Sequence, residues 1–298
     1  MNAREEGFLL LSSTLGDPQR KILTTAQLRT LAMRVATMER PETDRELTAA
    51  DLTALGYGPE MSERILSLLN DLPLLRYYHA KGWQADCMPI TRVSEGYPAE
   101  LRRRLGLDSP GVLWAKGDTS ILHRPRIALV GSRDIAPPNA EFAATVGREA
   151  ARQGYVLVSG NARGADSIAQ KACLDAGGQV ISVVADALMT QRDWDNVLYL
   201  SEEGFDCAFT SARALSRNRV IHALGEKTFV AQCALGIGGT WSGTMRNLKE
   251  NWSAVFCFWD GSEAAAQLEQ MGAISIELKE LADIADLQES TVNLFGKT

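Results

Sequence analysis

Three glycine-rich segments, of which the first two each follow a short apolar run, constrain the fold of this chain more than any other feature. They read Val130-Gly131-Ser132-Arg133, Ser159-Gly160-Asn161-Ala162-Arg163-Gly164-Ala165-Asp166 and Gly238-Gly239-Thr240-Trp241-Ser242-Gly243-Thr244. Backbone N–H groups and a helix dipole can hold an anion where such a loop leads into a helix. Two of the segments also carry an arginine, whose planar guanidinium suits phosphate. We call the three segments the first, second and third loops, and together the cradle.

Apolar runs alternate with helical patterns from residue 126 onwards. The predicted strands are residues 127–130, 155–159, 180–184, 207–210, 228–231 and 255–258, and the predicted helices include residues 140–153 and 165–176. This alternation is typical of an α/β fold with a Rossmann-like, doubly wound and mainly parallel sheet. Because ligands of such sheets bind beyond the carboxyl ends of the strands, we expect the three loops to converge there.

The first 75 residues have the pattern of a helical module. Leu28, Leu31 and Val35 fall at helical spacing. A Gly56-Tyr57-Gly58 turn between two helical patterns resembles a helix-hairpin-helix (SAM-like) unit, which can present N–H groups to DNA phosphate, although a plain turn in a small bundle has the same pattern. We therefore divide the chain into a helical module at residues 1–75, an extended Rossmann-like domain at 76–278 and a short acidic tail at 279–298.

The net charge of −6 is concentrated near the carboxyl terminus. Residues 260–298 hold eight acidic and two basic side chains, whereas residues 1–259 hold 29 of each. A neutral body can still carry a basic stripe that binds nucleic acid. We interpret the acidic tail as a solvated face that lies away from the cradle.

Several classes of protein are disfavoured by composition. No apolar run approaches the ~20 residues of a membrane helix, and the amino terminus lacks a signal-peptide pattern. The five cysteines show no C-x-x-C spacing and there are only three histidines, which disfavours a metal site. We expect a cytoplasmic protein with reduced, mostly buried cysteines, no membrane contact, no metal and no cofactor.

An ordered set of blocks resembles the DprA/Smf (DNA-processing protein A) family. The blocks are residues 126–133, 159–166 and 217–224, preceded by matching residues between 97 and 118. The resemblance covers roughly residues 75–260. It implies binding of single-stranded DNA, loading of RecA, often in natural transformation, and a homodimer formed through the Rossmann-like domain.

Departures from the family pattern indicate a diverged member. Ala169-Gln170 stands where the family usually has Ala-His, and Ala214-Leu215-Ser216 stands where Phe-Pro precedes the Arg217 block. The third loop differs from the common Ser-Gly-Ser-Leu type. We also expect this chain to lack the carboxyl-terminal winged helix that many members carry.

The candidate site residues belong to the cradle and to the block at 217–224. We expect DNA or phosphate contacts from Gly131, Ser132, Arg133, Ser159, Gly160, Arg163, Gly164, Arg217, Asn218, Gly239, Thr240, Ser242 and Gly243. Asp166 is predicted to shape the second loop from the first helical turn. Trp241 can either stack on a base or fill the core. Arg217 and Arg219 do not share a helix face, so one can face the ligand while the other pairs with an acid.

Two other functions fit the same loops. One is a sensor of a free nucleotide, which needs a closed pocket where a DNA binder needs a continuous basic groove. The other is a phosphoribohydrolase of the cytokinin-activating LOG type, whose Pro-Gly-Gly-x-Gly-Thr loop the third loop resembles. Those enzymes place a glutamate just after that loop, but here the sequence reads Met245-Arg246-Asn247. Without that carboxylate, water activation becomes difficult, and we predict a protein that is not an enzyme.

Overall fold

The computed structural model describes residues 1–38 and 46–287. Within these ranges the chain folds into a nine-stranded, mainly parallel sheet that has helices on both faces and is preceded by short helices. The α/β, Rossmann-like class predicted from the sequence is confirmed.

Five helices precede the first strand in the described ranges. They are α1 (Ala3–Ser12), α2 (Thr25–Val35), α3 (Ala49–Ala54), α4 (Pro59–Leu69) and α5 (Leu72–Gln84). Capping boxes start α1, α2 and α3, so that a side chain at each N-cap satisfies an N–H group of the first turn. Leu52 and Ile65 are buried in a small core between these helices. Helix α5 crosses the predicted boundary at residue 75 and packs on the sheet through Leu75 and Tyr78.

The strands of the sheet are connected mainly by helical crossovers. They are β1 (Met88–Thr91), β2 (Val112–Lys116), β3 (Arg126–Val130), β4 (Val156–Ser159), β5 (Gln179–Val183), β6 (Val197–Ser201), β7 (Lys227–Val230), β8 (Ala254–Phe258) and β9 (Ile274–Ile276). Their order is β1-β2-β6-β5-β4-β3-β7-β8-β9. Strands β3 to β9 are parallel, while β1 and β2 extend one edge in antiparallel pairs.

Six further helices in the described part of the chain cover the two faces. They are α6 (Ala99–Leu105), α7 (Pro137–Arg152), α8 (Ala165–Asp175), α9 (Ser211–Leu224), α10 (Gly238–Glu250) and α11 (Glu263–Gln270). Helices α7 and α8 bury Phe142 and Ala169 in one core, together with residues of α5. Helices α6, α9 and α11 bury Leu101, Ile221 and Leu268 in the core on the other face.

The direction of the crossovers reverses between β3 and β7, which are neighbours in the sheet. Strand β3 leads to α7 on one face, whereas β7 leads to α10, which packs on the other face through Met245 and Leu248. Loops that diverge in this way open a crevice beyond the carboxyl ends of the two strands, the usual ligand position in such sheets.

Five of the six predicted strands are confirmed, with small shifts at their ends. The strand predicted at residues 207–210 is wrong. These residues are an irregular segment whose carbonyl oxygens, at Cys207 and Ala208, accept hydrogen bonds from Arg213 Nη1 at 2.7 and 2.8 Å. The neighbouring position in the sheet is taken by β6, which is absent from the predicted strands, as are β1, β2 and β9.

The described part of the acidic tail is fastened to the amino-terminal edge of the sheet. Leu281 and Ile284 are fully buried. Lys227 Nζ, at the start of β7, donates to the Ile284 carbonyl at 2.6 Å, and Gln153 at the end of α7 bonds both Leu281 and Ile284. This stretch is therefore part of the core at the edge opposite to the cradle.

Burial in these cores also sets the chemistry of the thiols. All five cysteines are free, and Cys207 alone among them is not buried. Burial raises the pKa of Cys87 and Cys233 to about 11, which keeps these thiols protonated. None of the helices in the described ranges has both the length and the hydropathy that a bilayer span requires.

Candidate nucleic-acid interface

The cradle lies at the crevice between β3 and β7. The first loop follows β3, the second follows β4, and α10 begins after β7. The carboxyl ends of these three adjacent parallel strands meet at one edge. The structure therefore brings together the three segments that the sequence singled out.

Close backbone packing joins the first and second loops. Gly164 adopts φ +87° and caps α8, and any side chain there would overlap the carbonyl oxygens of Ser132 and Arg133. The Ala165 amide donates to the Ser132 carbonyl at 3.1 Å. Ser132 also donates its own amide to the Gln232 carbonyl at 2.9 Å, which fixes the first loop against the end of β7.

A side-chain hydrogen bond joins the first loop to α10. Thr240 Oγ1 donates to the Gly131 carbonyl at 3.0 Å. A Cβ at Gly131 would overlap Ala165 and lie 3.3 Å from the Cβ of Ala231. Gly131 therefore permits close packing between neighbouring segments, and its own surface is only half-exposed.

The structure of the third loop differs from the predicted one. Residues 238–244 were predicted to form a loop before a helix, but α10 begins at Gly238 and includes them all. Gly238, Gly239 and Thr240 form the first turn, and Ser242 and Gly243 lie in the second. The anion-binding capacity of this segment is therefore that of a helix amino terminus, which needs no loop.

Helix α9 supports the cradle from beneath. Arg217 is buried, and its Nη1 donates to the Val183 carbonyl at the end of β5 at 2.7 Å. Its guanidinium packs directly on Gly160 of the second loop. Asn218 Nδ2 donates to the Gly239 carbonyl at 3.0 Å and so joins α9 to α10.

Asp166 occupies the position expected of a residue that shapes the second loop. Its carboxylate accepts a hydrogen bond from the Ala162 amide at 3.4 Å and lies 3.9 Å from Arg217 Nη2. Burial raises the pKa of Asp166, and the positive charge of Arg217 opposes that rise. Because the carboxylate is buried, it acts on the loop and not on solvent.

The predicted site residues separate into a surface group and a supporting group. The exposed residues are Arg133, Arg163 and Ser242, and the half-exposed residues are Gly131, Ser132, Asn218, Gly239, Thr240, Trp241 and Gly243. The buried residues are Ser159, Gly160, Gly164 and Arg217. The Ser159 hydroxyl donates a hydrogen bond to the Leu129 carbonyl at 3.0 Å and is therefore not free for a ligand. Only the exposed and half-exposed residues can contact a ligand without rearrangement of the cradle.

Both cradle arginines present their charge to solvent. Arg163 pairs with Asp134 at 2.8 Å, but the side chains are 76% and 91% exposed, so the pair contributes little. Arg133 has neither an ion pair nor a side-chain hydrogen bond with any residue of the described ranges. The first and second loops thus each carry one solvent-exposed guanidinium group.

Two other residues of the block at 217–224 are held by contacts within the protein. Arg219 pairs with Glu202 at 2.6 Å, on a different side of α9 from Arg217. His222 is fully buried, and its Nδ1 lies 3.1 Å from Asn247 Nδ2. Burial lowers the pKa of His222 to about 3, so the ring is neutral and acts structurally.

Sequence reasoning missed two residues that hold the cradle in place. Arg213, one turn before Arg217, is buried and bonds Ala185 and Ser201 at the ends of β5 and β6, at 2.6 and 3.0 Å. Gln170 donates its amide to the Gly160 carbonyl. The spacing of arginines at 213 and 217 and the departure at position 170 were the available signals.

Comparison with known proteins now decides the family. The protein-family model described as DNA recombination-mediator protein A matches residues 88–280, well over half of the chain. The chain belongs to this family. The DprA/Smf resemblance stated from the sequence is therefore confirmed.

Curated members of the family match over part of their length. The DNA processing protein DprA of Bacillus subtilis (strain 168) is 30% identical over 170 residues, which are 53% of this chain and 55% of that protein. Protein Smf of Escherichia coli (strain K12) is 30% identical over 199 residues, 61% of this chain and 52% of that protein. The chain spans about half the length of the curated relatives it matches.

Two solved structures of DprA proteins share the fold. The X-ray structure from Streptococcus pneumoniae superposes with a TM-score of 0.71 at 23% identity, over 93% of this chain and 95% of that chain. The structure from Helicobacter pylori, reported for its unique single-stranded DNA binding mode, has a TM-score of 0.55 at 25% identity. It covers 66% of this chain and 94% of its own.

Proposed function

We propose that this protein is a cytoplasmic, non-catalytic single-stranded DNA-binding protein that acts as a recombination mediator. The observation that carries the proposal is the pair of exposed arginines, Arg133 and Arg163, on two loops at the crevice between β3 and β7, where the first loop bonds the start of α10 and the second leads into α8. The family supports a role in DNA processing, and the H. pylori relative is described as a binder of single-stranded DNA.

Phosphate is the ligand chemistry that this arrangement suits. Guanidinium groups pair with phosphate oxygens in two-pronged geometry, and the unpaired N–H groups of a helix amino terminus add further donors. The N-cap of α10, Ile237, provides no side-chain cap, and neither does the N-cap of α8, Gly164. The first-turn N–H groups of α10 are therefore not occupied by a capping side chain and can donate to an anion, whereas in α8 the Ala165 and Ser167 amides already donate to the Ser132 and Ala162 carbonyls.

Exposed apolar side chains favour a single strand over a duplex. Phe209 and Leu215, before and on α9, are 52% and 54% exposed, and Ile237 at the start of α10 is 73% exposed. Trp241 is half-buried beside the core, so it has one surface for packing and another for a base. Unpaired bases present flat faces to such groups, whereas a duplex hides them. Trp241 remains our predicted stacking residue.

The absence of a suitably placed carboxylate supports a non-catalytic role. A phosphoribohydrolase would need an acid just after the glycine-threonine segment, and Met245, Arg246 and Asn247 occupy those positions on α10. Asn247 is buried and bonds His222 and Ser253, so it supports the packing between α9 and α10. We accordingly expect no release of base from nucleoside monophosphates.

RecA is the partner that we propose from the family resemblance, and a homodimer through the Rossmann-like domain is the proposed assembly. Light scattering coupled to size-exclusion chromatography measures the mass of the assembly. A RecA-loading assay on DNA coated with single-strand-binding protein measures the mediator activity. A monomer, or RecA filament formation that this protein does not accelerate, would remove these parts of the proposal.

The ligand class is tested by fluorescence anisotropy with labelled oligo-dT and unlabelled competitors. A DNA-binding cradle predicts that oligo-dT competes far better than thymidine monophosphate, and that affinity falls steeply with salt. Equal competition by the mononucleotide, with a weak salt dependence, would instead indicate a nucleotide sensor.

A further inference from the structure

A second group of arginines lies outside the cradle, where the amino-terminal helices meet the sheet. Arg29 on α2 and Arg102 on α6 are exposed, and Arg92 follows β1 and is half-buried. We call these three residues the seam cluster. Helix α2 contacts the turn at residues 106–108, which brings Arg29 to the same region.

Local contacts hold the seam cluster in place. Arg92 Nη2 donates to the Gly106 carbonyl at 2.8 Å. The guanidinium of Arg102 lies 5.6 Å from the ring centroid of the buried Tyr97, a cation–π contact that orients it. Two of the three charges are therefore positioned by the fold.

The seam cluster is not neutralised by the protein. Arg29, Arg92 and Arg102 form no ion pair with any residue of the described ranges. Glu100, the acid nearest on α6, pairs instead with Arg126 at 3.2 Å. Burial lowers the pKa of Arg92, and the like charges of Arg102 and Arg29 act in the same direction. An anion bound there would relieve this repulsion.

Helix α10 and one ion pair connect the cradle to the turn beside the seam cluster. Gly239 and Arg246 are seven residues apart on α10, about 10 Å along the helix axis. Arg246 Nη2 pairs with Asp108 at 2.7 Å, and both side chains are at least half-exposed. Asp108 belongs to the turn whose Gly106 carbonyl accepts the hydrogen bond from Arg92. The path therefore runs along α10, across one ion pair, to the seam cluster.

We propose that the seam cluster is a second phosphate-contact surface, which binds the backbone of single-stranded DNA after it leaves the cradle along α10. The proposal rests on the proposed function of the cradle. Asp108 then weakens DNA binding, because it neutralises Arg246 midway along the path. A short oligonucleotide fills the cradle alone, whereas a longer one reaches the seam cluster.

The test compares oligo-dT of about 4 and about 16 nucleotides in anisotropy titrations at several salt concentrations. The Arg29→Gln/Arg102→Gln variant changes two exposed residues and keeps the partly buried Arg92. It should bind the long oligonucleotide roughly tenfold more weakly and lower the magnitude of the salt slope by about 1.4, since each lost contact with a single strand contributes about 0.7. Binding of the short oligonucleotide should not change. Arg76→Gln, which removes an exposed charge from α5, is the matched control and should behave as wild type.

A second variant tests the path in the opposite direction. Asp108→Asn frees Arg246 and should strengthen binding of the long oligonucleotide several-fold without affecting the short one. The backbone carbonyl of Asp108, which accepts from Arg219 Nε at 3.0 Å, is retained.

The outcomes separate this inference from the proposed function. Wild-type affinity of the double variant for the long oligonucleotide, or an equal loss for both lengths, overturns the seam cluster as a DNA surface, even if another anion, such as an acidic protein segment, binds there. An unchanged Asp108→Asn variant counts against the path. If the wild-type protein binds neither oligonucleotide, the proposed function of the cradle fails, and this inference fails with it.

Discussion

The guanidinium of Arg217 occupies the space where a side chain on Gly160 would begin. The same guanidinium bonds the Val183 carbonyl at 2.7 Å and lies 3.9 Å from Asp166. One buried side chain of α9 thus contacts the end of β5, the second loop and the first turn of α8. Arg217 is a positioning residue, which fixes the loop that presents Arg163 to solvent.

Replacement of Gly160 by alanine should disturb the cradle specifically. The added methyl group would overlap the Arg217 guanidinium, and displacing it breaks the bond to Val183. Overpacking of this kind costs about 1–3 kcal/mol in the free energy of unfolding. We expect lower stability in denaturant titrations and weaker binding of oligo-dT by the folded protein. Gly7→Ala in α1 is the control, because a methyl group there meets no atom within 4 Å. Equal behaviour of the two variants would contradict this role for Arg217.

Stability should depend on pH through His222. Burial lowers the pKa of His222 from 6.5 to about 3, so below pH 6.5 the unfolded chain binds a proton that the folded chain does not. The free energy of unfolding should therefore fall by about 1.4 kcal/mol for each pH unit between pH 6 and pH 4 because of this residue. Above pH 6.5, His222 is neutral in both states and causes no loss of stability. Comparison of denaturant curves for wild type and His222→Gln isolates the effect. Parallel pH profiles for the two proteins would contradict it.

The described part of the acidic tail should matter for stability and not for DNA binding. Leu281 is fully buried at the edge of the sheet opposite to the cradle. Leu281→Ala should cost about 2–5 kcal/mol in the free energy of unfolding. Affinity for oligo-dT, measured where the variant remains folded by circular dichroism, should match wild type. A folded variant that binds DNA weakly would place this stretch in the binding surface.

The sequence predicted the elements whose signals are local. Apolar runs that end in glycine located β3 and β4 with the first and second loops, and the order of these blocks indicated the family. The position of Arg219 away from Arg217 followed from helix geometry alone.

Features that depend on distant contacts could not be predicted. Gly238 and Gly239 have low helix propensity, which favoured a loop, but Thr240 and Asn218 fix them in the first turn of α10 by hydrogen bonds to other segments. Residues 207–210 have strand-like composition, but the Cys207 carbonyl accepts a hydrogen bond from Arg213. The burial of Arg217 depends on β5 and the second loop, which only the folded chain brings together.

The most direct test of the central claim is the salt dependence of oligo-dT binding by Arg133→Ala and Arg163→Ala. Each variant removes one exposed guanidinium, so affinity should fall and the magnitude of the slope of log K against log salt should decrease by about 0.7–1 per variant. Arg124→Ala, at the exposed amino-terminal edge of the sheet, should leave both quantities unchanged. Wild-type affinity and slope in both cradle variants, with the fold intact by circular dichroism, would show that DNA binds elsewhere.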